Sequence, residues 1–373
     1  MTPVSEAHVL RVRRFVDRFG PWVRRAIRPV CDLEVNGIEH LPERGPVLLL
    51  ANHGSMFDPL TLIVASGRAL QWVATETAFE PMIAGGFYRN FGCIPKRRFR
   101  SDLRAMWQVK AWARAGAFIG VFPEGERTWD GRPLPLQPGV AALARMTHAP
   151  IVVARVENAY AHWPRWAPRP RRGRVAITFL PPRRVAPGEA LAPVEQALAT
   201  DLAVAPRSRE DLPLVGKNVA VGLENMLYGC PICFAEGIRA DGDVLRCDAC
   251  RWSAPVDVQG RVGGVGLEVL ADALKARTIA GWAAAPAGAV LTAEEVVLRD
   301  ATGVVASGRL ELHRDHLALG SWRVPLADVA NANIEYQRML ELHVGDQTFR
   351  GTIPHGSAWR WPWAIAHLRD QRG

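Results

Sequence analysis

Near the start of the chain, Val47-Leu48-Leu49-Leu50-Ala51 form five consecutive apolar residues with no polar alternation. A run of that length and branching is a strand buried on both faces, which requires a sheet covered by helices on each side. Similar runs recur at Phe118-Phe122, Ile151-Val156 and Val175-Phe179, and helical stretches fill 102 to 115 and 138 to 147. The alternation from 45 to about 185 predicts an α/β domain. At 373 residues the chain has room for two or three domains, each with its own core.

The flanking text follows other periods. Before the α/β segment, within residues 1–34, Val9, Val12, Val16, Phe19, Val23, Ile27 and Val30 recur at three- and four-residue spacing, with Arg11, Arg14, Arg18, Arg25 and Arg28 on another face. Gly20-Pro21 divides them into a pair of basic amphipathic helices, the pattern of an interfacial membrane anchor or of helices packed on their own domain with a solvated basic face. A Pro- and Ala-rich passage at 181 to 213 reads as linker or peripheral helices, and 206–229 as linker or helix. A cysteine cluster spans 230–255. Residues 256–295, with the joint "QGRVGGVGLE", read as a second linker or helix, because no buried strand precedes these glycines as a nucleotide loop requires. Residues 296–373 change to period two, and "SAWRWPWAIAHLRD" closes them as a helix despite Pro362. Short strands followed by one helix look like a pleckstrin-homology-type (PH-like) β barrel. His313-Arg314-Asp315 falls between two strand-like runs and reads as a hairpin turn.

A net charge of +9 and a pI near 9.7 favour an anionic partner: a lipid surface, a nucleic acid or a phosphorylated substrate. No run of eighteen apolar residues is present, so no spanning helix is expected. The N-terminus lacks the apolar core and cleavage site of a secretory signal, which argues for the cytoplasm, peripheral on the inner face of the membrane. Eight arginines lie between Arg155 and Arg184, with Glu157 the only acid and Trp163 and Trp166 interleaved. That composition suits an anionic membrane interface, a nucleic-acid groove or a solvated loop.

The strand at 47 to 51 breaks into Asn52-His53, and Asp58 follows five residues after the histidine. An imidazole and a carboxylate at this spacing can fold back on each other as a general base with its orienting acid. Three further stations follow: "FGCIPKRRFR" with Lys96, Arg97, Arg98 and Arg100, "GVFPEGERTWDG" with Glu124, Gly125 and Arg127, and "HAPIVVARV" with Pro150. Loops after the carboxyl ends of strands are where α/β sheets build sites.

Together these stations resemble the glycerophospholipid acyltransferase family, which includes 1-acylglycerol-3-phosphate acyltransferases. The resemblance runs from about 35 to 185 within a domain at 35–205. It is carried by Asn52, His53, Asp58 and Pro59, by Ile94, Pro95 and Arg98, and by Phe122, Pro123, Glu124, Gly125, Arg127 and Thr128. It implies a mixed sheet with flanking helices and transfer of a fatty acyl group from acyl-CoA or acyl carrier protein to a lysophospholipid hydroxyl, as in 1-acylglycerol 3-phosphate. His53 takes the hydroxyl proton, and Asp58 fixes the tautomer and stabilises the imidazolium. An acceptor phosphate needs forked cationic donors, Arg127 first and Arg98 second, in a substrate loop with Glu124, Gly125 and Thr128. Glu124 is expected to orient an arginine or an acceptor hydroxyl. Two positions depart from the pattern: Glu126 stands where phosphate-ester acylating members commonly carry Thr, and Val153 replaces a second proline.

Four of the six cysteines form the pairs Cys230-Pro-Ile-Cys233 and Cys247-Asp-Ala-Cys250, thirteen residues apart. Two such turns present four thiolates to one Zn2+, and the pattern resembles a zinc ribbon. A four-cysteine site has no open position for catalysis, so the metal's expected job is to fold a segment lacking a core. Disulfides are the weaker alternative in a reducing compartment. Arg246 and Arg251 supply little basic surface, which favours a protein-contact or spacer role over nucleic acid. Cys31 and Cys93 stand alone as buried thiols. Two rivals to the enzyme remain at this level: a non-catalytic lipid-binding scaffold and a nucleic-acid-binding zinc-ribbon protein.

Overall fold

The structure is a computed structural model in which residues 4–79, 82–97, 102–204, 211–284 and 288–371 are described. The chain forms two compact units, Met1–Pro164 with Pro170–Val215, and Arg165–Arg169 with Gly216–Gly373. The boundary falls after 215, ten residues beyond the expected end of the first domain, and the N-terminal helical segment belongs to the same unit as the sheet.

In the first unit the strands are β1 (Cys31–Asn36), β2 (Val47–Ala51), β3 (Leu70–Thr75), β4 (Ile94–Lys96), β5 (Phe118–Val121), β6 (Ile151–Glu157), β7 (Arg172–Phe179) and β8 (Leu214–Val215). They form a mixed sheet in the order β1-β7-β6-β2-β5-β3-β4, with β8 paired to β7. Strands β6, β2, β5, β3 and β4 are mutually parallel, and β7 runs antiparallel to β6. The helices are α1 (Glu6–Ile27), α2 (Asp58–Ser66), α3 (Met82–Asn90), α4 (Leu103–Arg114), α5 (Val140–Thr147), α6 (Ala159–His162) and α7 (Leu191–Leu202).

Every residue of β2 is fully buried, and the strand lies between β5 and β6. Val47, Leu49 and Ala51 enter one core cluster, Leu48 and Leu50 the other. The unbroken apolar run therefore has its cause in burial on both faces. The first cluster includes Val12 and Val16 of α1, and the second includes Val194, Leu198 and Leu202 of α7.

One expectation is corrected here, and one open alternative is decided in favour of a helix. The pair of N-terminal helices is one helix of 22 residues that continues through Pro21. Proline removes a single N–H, while Val12, Val16, Val23 and Ile27 dock one stripe on the core on both sides of it. The passage at 181 to 213 contains α7, whose Leu198 and Val194 are almost completely buried. Its alanines supply helix propensity, and its few branched residues fall on one face.

The basic run from Arg155 to Arg184 also differs from a free cationic surface. Arg155 binds Asp201, Arg174 binds Asp32, and Arg183 binds Glu189. Arg171, Arg172 and Arg184 donate to the carbonyls of Ala161, Pro29 and His148. In the second unit Arg165 is buried and donates to the carbonyl of Ile334, and Trp166 is fully buried. Acids neutralise Arg155, Arg174 and Arg183, while Arg171, Arg172 and Arg184 are hydrogen-bonded to carbonyls and keep their charge. Among the described residues no helix is long and apolar enough to cross a membrane.

The second unit starts with a three-stranded antiparallel sheet of β9 (Ile238–Asp241), β10 (Val244–Cys247) and β11 (Ser253–Pro255), then α8 (Leu267–Ala284). Strands β12 (Leu291–Asp300), β13 (Gly303–Leu312), β14 (His316–Leu319), β15 (Trp322–Pro325), β16 (Val329–Glu335), β17 (Met339–Val344) and β18 (Gln347–Thr352) follow, closed by α9 (Arg360–Asp370). Their order is β15-β14-β13-β12-β18-β17-β16. The expected layout of short antiparallel strands and one C-terminal helix is present, and pairing among the described residues leaves the path open between β15 and β16. His313-Arg314-Asp315 forms the hairpin turn between β13 and β14. Helix α8 occupies 18 residues of the 256–295 stretch expected as linker or helix, with Trp282 stacked on Trp363 of α9 at 5.6 Å.

Candidate functional site

The site lies beyond the carboxyl ends of β2, β5 and β6. Asn52, first after β2, donates through Nδ2 to the Val156 carbonyl and accepts the Val156 N–H at Oδ1, both at 2.8 Å. This side chain replaces the ladder that stops at Ala51 and pins the next residue, His53, against the end of β6. Gly54 comes so close to α6 that a Cβ there would lie 2.9 Å from the Tyr160 amide nitrogen.

His53 Nδ1 donates to Asp58 Oδ2 at 2.9 Å. The same oxygen accepts the Ser55 N–H at 2.8 Å, and Asp58 is 1% exposed as the first residue of α2. A carboxylate is acceptor-only, so the proton sits on Nδ1 and Nε2 is the basic nitrogen. The imidazole stacks on Phe122 at 3.9 Å and 13°.

The loop after β5 holds His53 by its backbone. Glu124 Oε1 accepts the His53 N–H at 2.9 Å, Glu124 Oε2 accepts the Leu134 N–H at 2.9 Å, and Thr128 N–H donates to the His53 carbonyl at 3.3 Å. Burial pushes the Glu124 carboxyl up to about 7, opposed by the two amide hydrogen bonds, with Asp58 and Glu126 adding to the rise. The sequence expectation is that Glu124 orients an arginine or an acceptor hydroxyl; the structure adds a backbone role, each oxygen accepting one amide N–H. Its two oxygens are engaged by amides that no local pattern reveals. Gly125 has φ +80°, which favours glycine at the turn.

A narrow cleft of about 20 Å3, room for roughly one water, is lined by Asn52, His53, Thr128, Arg132, Asn158 and Tyr160 among others. Arg127, the expected first phosphate ligand, is half-buried in the turn after β5 and is not among the lining residues. Arg132, which sequence reasoning missed, lines the cleft while its guanidinium binds Asp130. The signal for it was only one more arginine after the motif. Arg98 and Arg100 lie outside the described residues; Lys96 and Arg97 precede them, and Arg97 is exposed beside Glu76 at 3.7 Å. Val153 is buried within β6, and Glu126 is half-buried beside Arg127.

In the second unit Cys230, Cys233, Cys247 and Cys250 converge, with their sulfurs all within 4.8 Å of one another. The Cys230–Cys250 and Cys233–Cys247 separations are both 3.7 Å. The edge of a tetrahedron with about 2.3 Å metal–sulfur bonds is about 3.8 Å, whereas a disulfide is about 2.05 Å. The donor set therefore fits a four-thiolate metal site. Cys31 and Cys93 are separate, buried thiols, each pushed up to about 12 by burial.

Residues 32–157 match the acyltransferase family model. The chloroplastic 1-acyl-sn-glycerol-3-phosphate acyltransferase of Brassica napus is 28% identical over 134 residues, 35% of this chain and 39% of that protein. The 1-acyl-sn-glycerol-3-phosphate acyltransferase alpha of Bos taurus is 29% identical over 173 residues, 43% of this chain and 56% of that protein. The solved 1-acyl-sn-glycerophosphate acyltransferase of Thermotoga maritima aligns at 19% identity and a TM-score of 0.42, over 50% of this chain and 77% of that one. This chain spans between about two fifths and just over half the length of these curated relatives. Fold and site define an α/β domain with a histidine–carboxylate pair at the strand ends. Over residues 32–157 that domain matches the acyltransferase family model and is similar to 1-acyl-sn-glycerol-3-phosphate acyltransferases.

Proposed function

We propose that the chain is an O-acyltransferase that moves a fatty acyl group from acyl-CoA or acyl carrier protein to a hydroxyl of a lysophospholipid such as 1-acylglycerol 3-phosphate. The observation that carries this reading is the 2.9 Å His53–Asp58 hydrogen bond on a histidine whose backbone is held at both its N–H and its carbonyl by the loop after β5. The acceptor hydroxyl attacks the thioester carbonyl as His53 Nε2 takes its proton. Asp58 stabilises the imidazolium. An ester C–O bond forms, the C–S bond breaks, and the imidazolium returns the proton to the departing thiolate. Arg132, with Arg127 in the same loop, supplies the cationic side of the acceptor site. The test is mass-spectrometric detection of product from mixed acyl-CoAs and acyl carrier proteins with lysolipids and glycerol 3-phosphate. His53→Ala is expected to retain its fold and lose roughly a hundredfold or more in transfer rate, and retained activity would overturn the assignment.

The four cysteines hold one structural Zn2+ in a zinc-ribbon-like segment, supported by their 3.7 Å sulfur separations. The seven-strand path with its terminal helix supports a PH-like reading of the last segment. Peripheral binding to an anionic membrane is supported by α1, where Leu10, Phe15, Phe19 and Trp22 are exposed among exposed arginines, with Trp22 at 71%. Cosedimentation with vesicles that contain phosphatidylglycerol, but not with phosphatidylcholine vesicles alone, is the expected result.

A further inference from the structure

Trp72 belongs to none of the motifs that mark the site. It is 3% exposed on β3, and its register partner on β5 is Gly120. A Cβ at 120 would come within 2.4 Å of the indole, so the glycine leaves the space in which that ring lies against the sheet. Phe122 is parallel to the indole, with centroids 4.6 Å apart and planes at 2°. The His53 imidazole stacks in turn on Phe122 at 3.9 Å. Three rings thus form a column from the sheet surface to the histidine.

We infer that Trp72, acting through Phe122, is a positioning residue for His53, holding the plane of the imidazole and favouring its protonated form. The inference rests on the acyltransferase reading for what His53 does. Backbone contacts to Glu124 and Thr128 fix where His53 is attached, and the Asp58 bond fixes one ring nitrogen. Rotation about that bond is limited by the stacking face. An aromatic face under an imidazolium is also an electrostatic partner, as for other cations over rings. Charged or titratable groups near the histidine include Asp58 of α2 at Nδ1, Glu124 of the loop after β5 at the backbone amide, Glu126 beside Glu124, His162 of α6 near Asp58, and Arg132 in the cleft lining. None of these contacts depends on Trp72, so its removal isolates the column.

The experiment is NMR titration of histidine-labelled full-length protein, with His53 signals assigned by their loss in His53→Gln, beside acyl-transfer kinetics. In the wild type the His53 ring protons are expected upfield of free histidine because they lie over Phe122; ordinary positions would overturn the column without any tryptophan variant. Trp72→Leu is expected to lower the His53 pKa by about half a unit and kcat roughly tenfold, with KM for the acceptor little changed. Trp72→Phe, which keeps a flat ring, should restore most of both. A folded Trp72→Leu protein with wild-type titration and kcat would refute the inference while leaving the acyltransferase reading intact. Altered His53 titration in a protein that transfers no acyl group from any donor would sustain the column and remove the proposed reaction.

Discussion

Glu124 Oε1 accepts the backbone N–H of His53 at 2.9 Å, across 71 residues of sequence. The acid of the loop after β5 is thereby a fixture for the histidine after β2, and the proposed base inherits its position from a buried carboxylate.

That carboxylate makes pH dependence a test. Its pKa rises from an ordinary 4.5 to about 7, chiefly by burial. Between those values the folded protein holds a proton that the unfolded chain has released. Its contribution to stability is therefore fully present below 4.5 and is lost as pH rises through 7, on the order of 3 kcal/mol in all. The ionised form, which accepts both amides, is the one suited to hold His53. Stability should fall while activity rises over the same window. Urea midpoints from pH 4.5 to 7.5 are expected to slope less in Glu124→Gln than in the wild type, and equal slopes would contradict the assignment.

Asn52→Ala removes both hydrogen bonds to Val156 and leaves a backbone N–H and carbonyl near the end of β6 without their partner. A loss of about 1–3 kcal/mol in denaturant stability is expected, together with a drop in kcat because His53 is the next residue. An unchanged kcat in a destabilised protein would separate the strand end from the base.

Arg132 and Arg127 make competing claims on an acceptor phosphate. If the cleft is the phosphate site, Arg132→Ala should raise KM for a phosphate-bearing acceptor by roughly tenfold or more, the worth of a charge-assisted hydrogen bond. It should leave KM for an uncharged acyl acceptor nearly unchanged. The opposite ranking of Arg132→Ala and Arg127→Ala would place the phosphate on the expected residue.

For the cysteine cluster, elemental analysis should find one zinc per chain, and Cys247→Ser should reduce it. Because the three short strands β9 to β11 bury little apolar surface of their own, loss of metal should expose residues 230–255 to proteolysis. Full zinc content in Cys247→Ser would exclude a four-thiolate site.

The core strand, the order of the motifs and the convergent cysteines are legible in the chain because each depends on local chemistry. Leu48, Leu49 and Leu50 need burial on both faces wherever they are placed, and Cys-x-x-Cys turns carry their own geometry. Strands β3 and β4 were not legible, since "LQWVAT" mixes polar and apolar residues and β4 is three residues around Pro95. Nor was the continuity of α1 through Pro21, where the docked valine stripe outweighs one lost hydrogen bond.

His53, Asp58 and the cysteines could be named from spacing alone, because residues five or fewer apart reach each other through a turn. The partners of Glu124, the internal use of the arginines from 155 to 184, the place of Arg132 in the cleft and the ring column from Trp72 required the fold. Each joins residues tens of positions apart, or turns a side chain toward one neighbour among several. Such choices are made when the sheet sets its register and the strand ends come together.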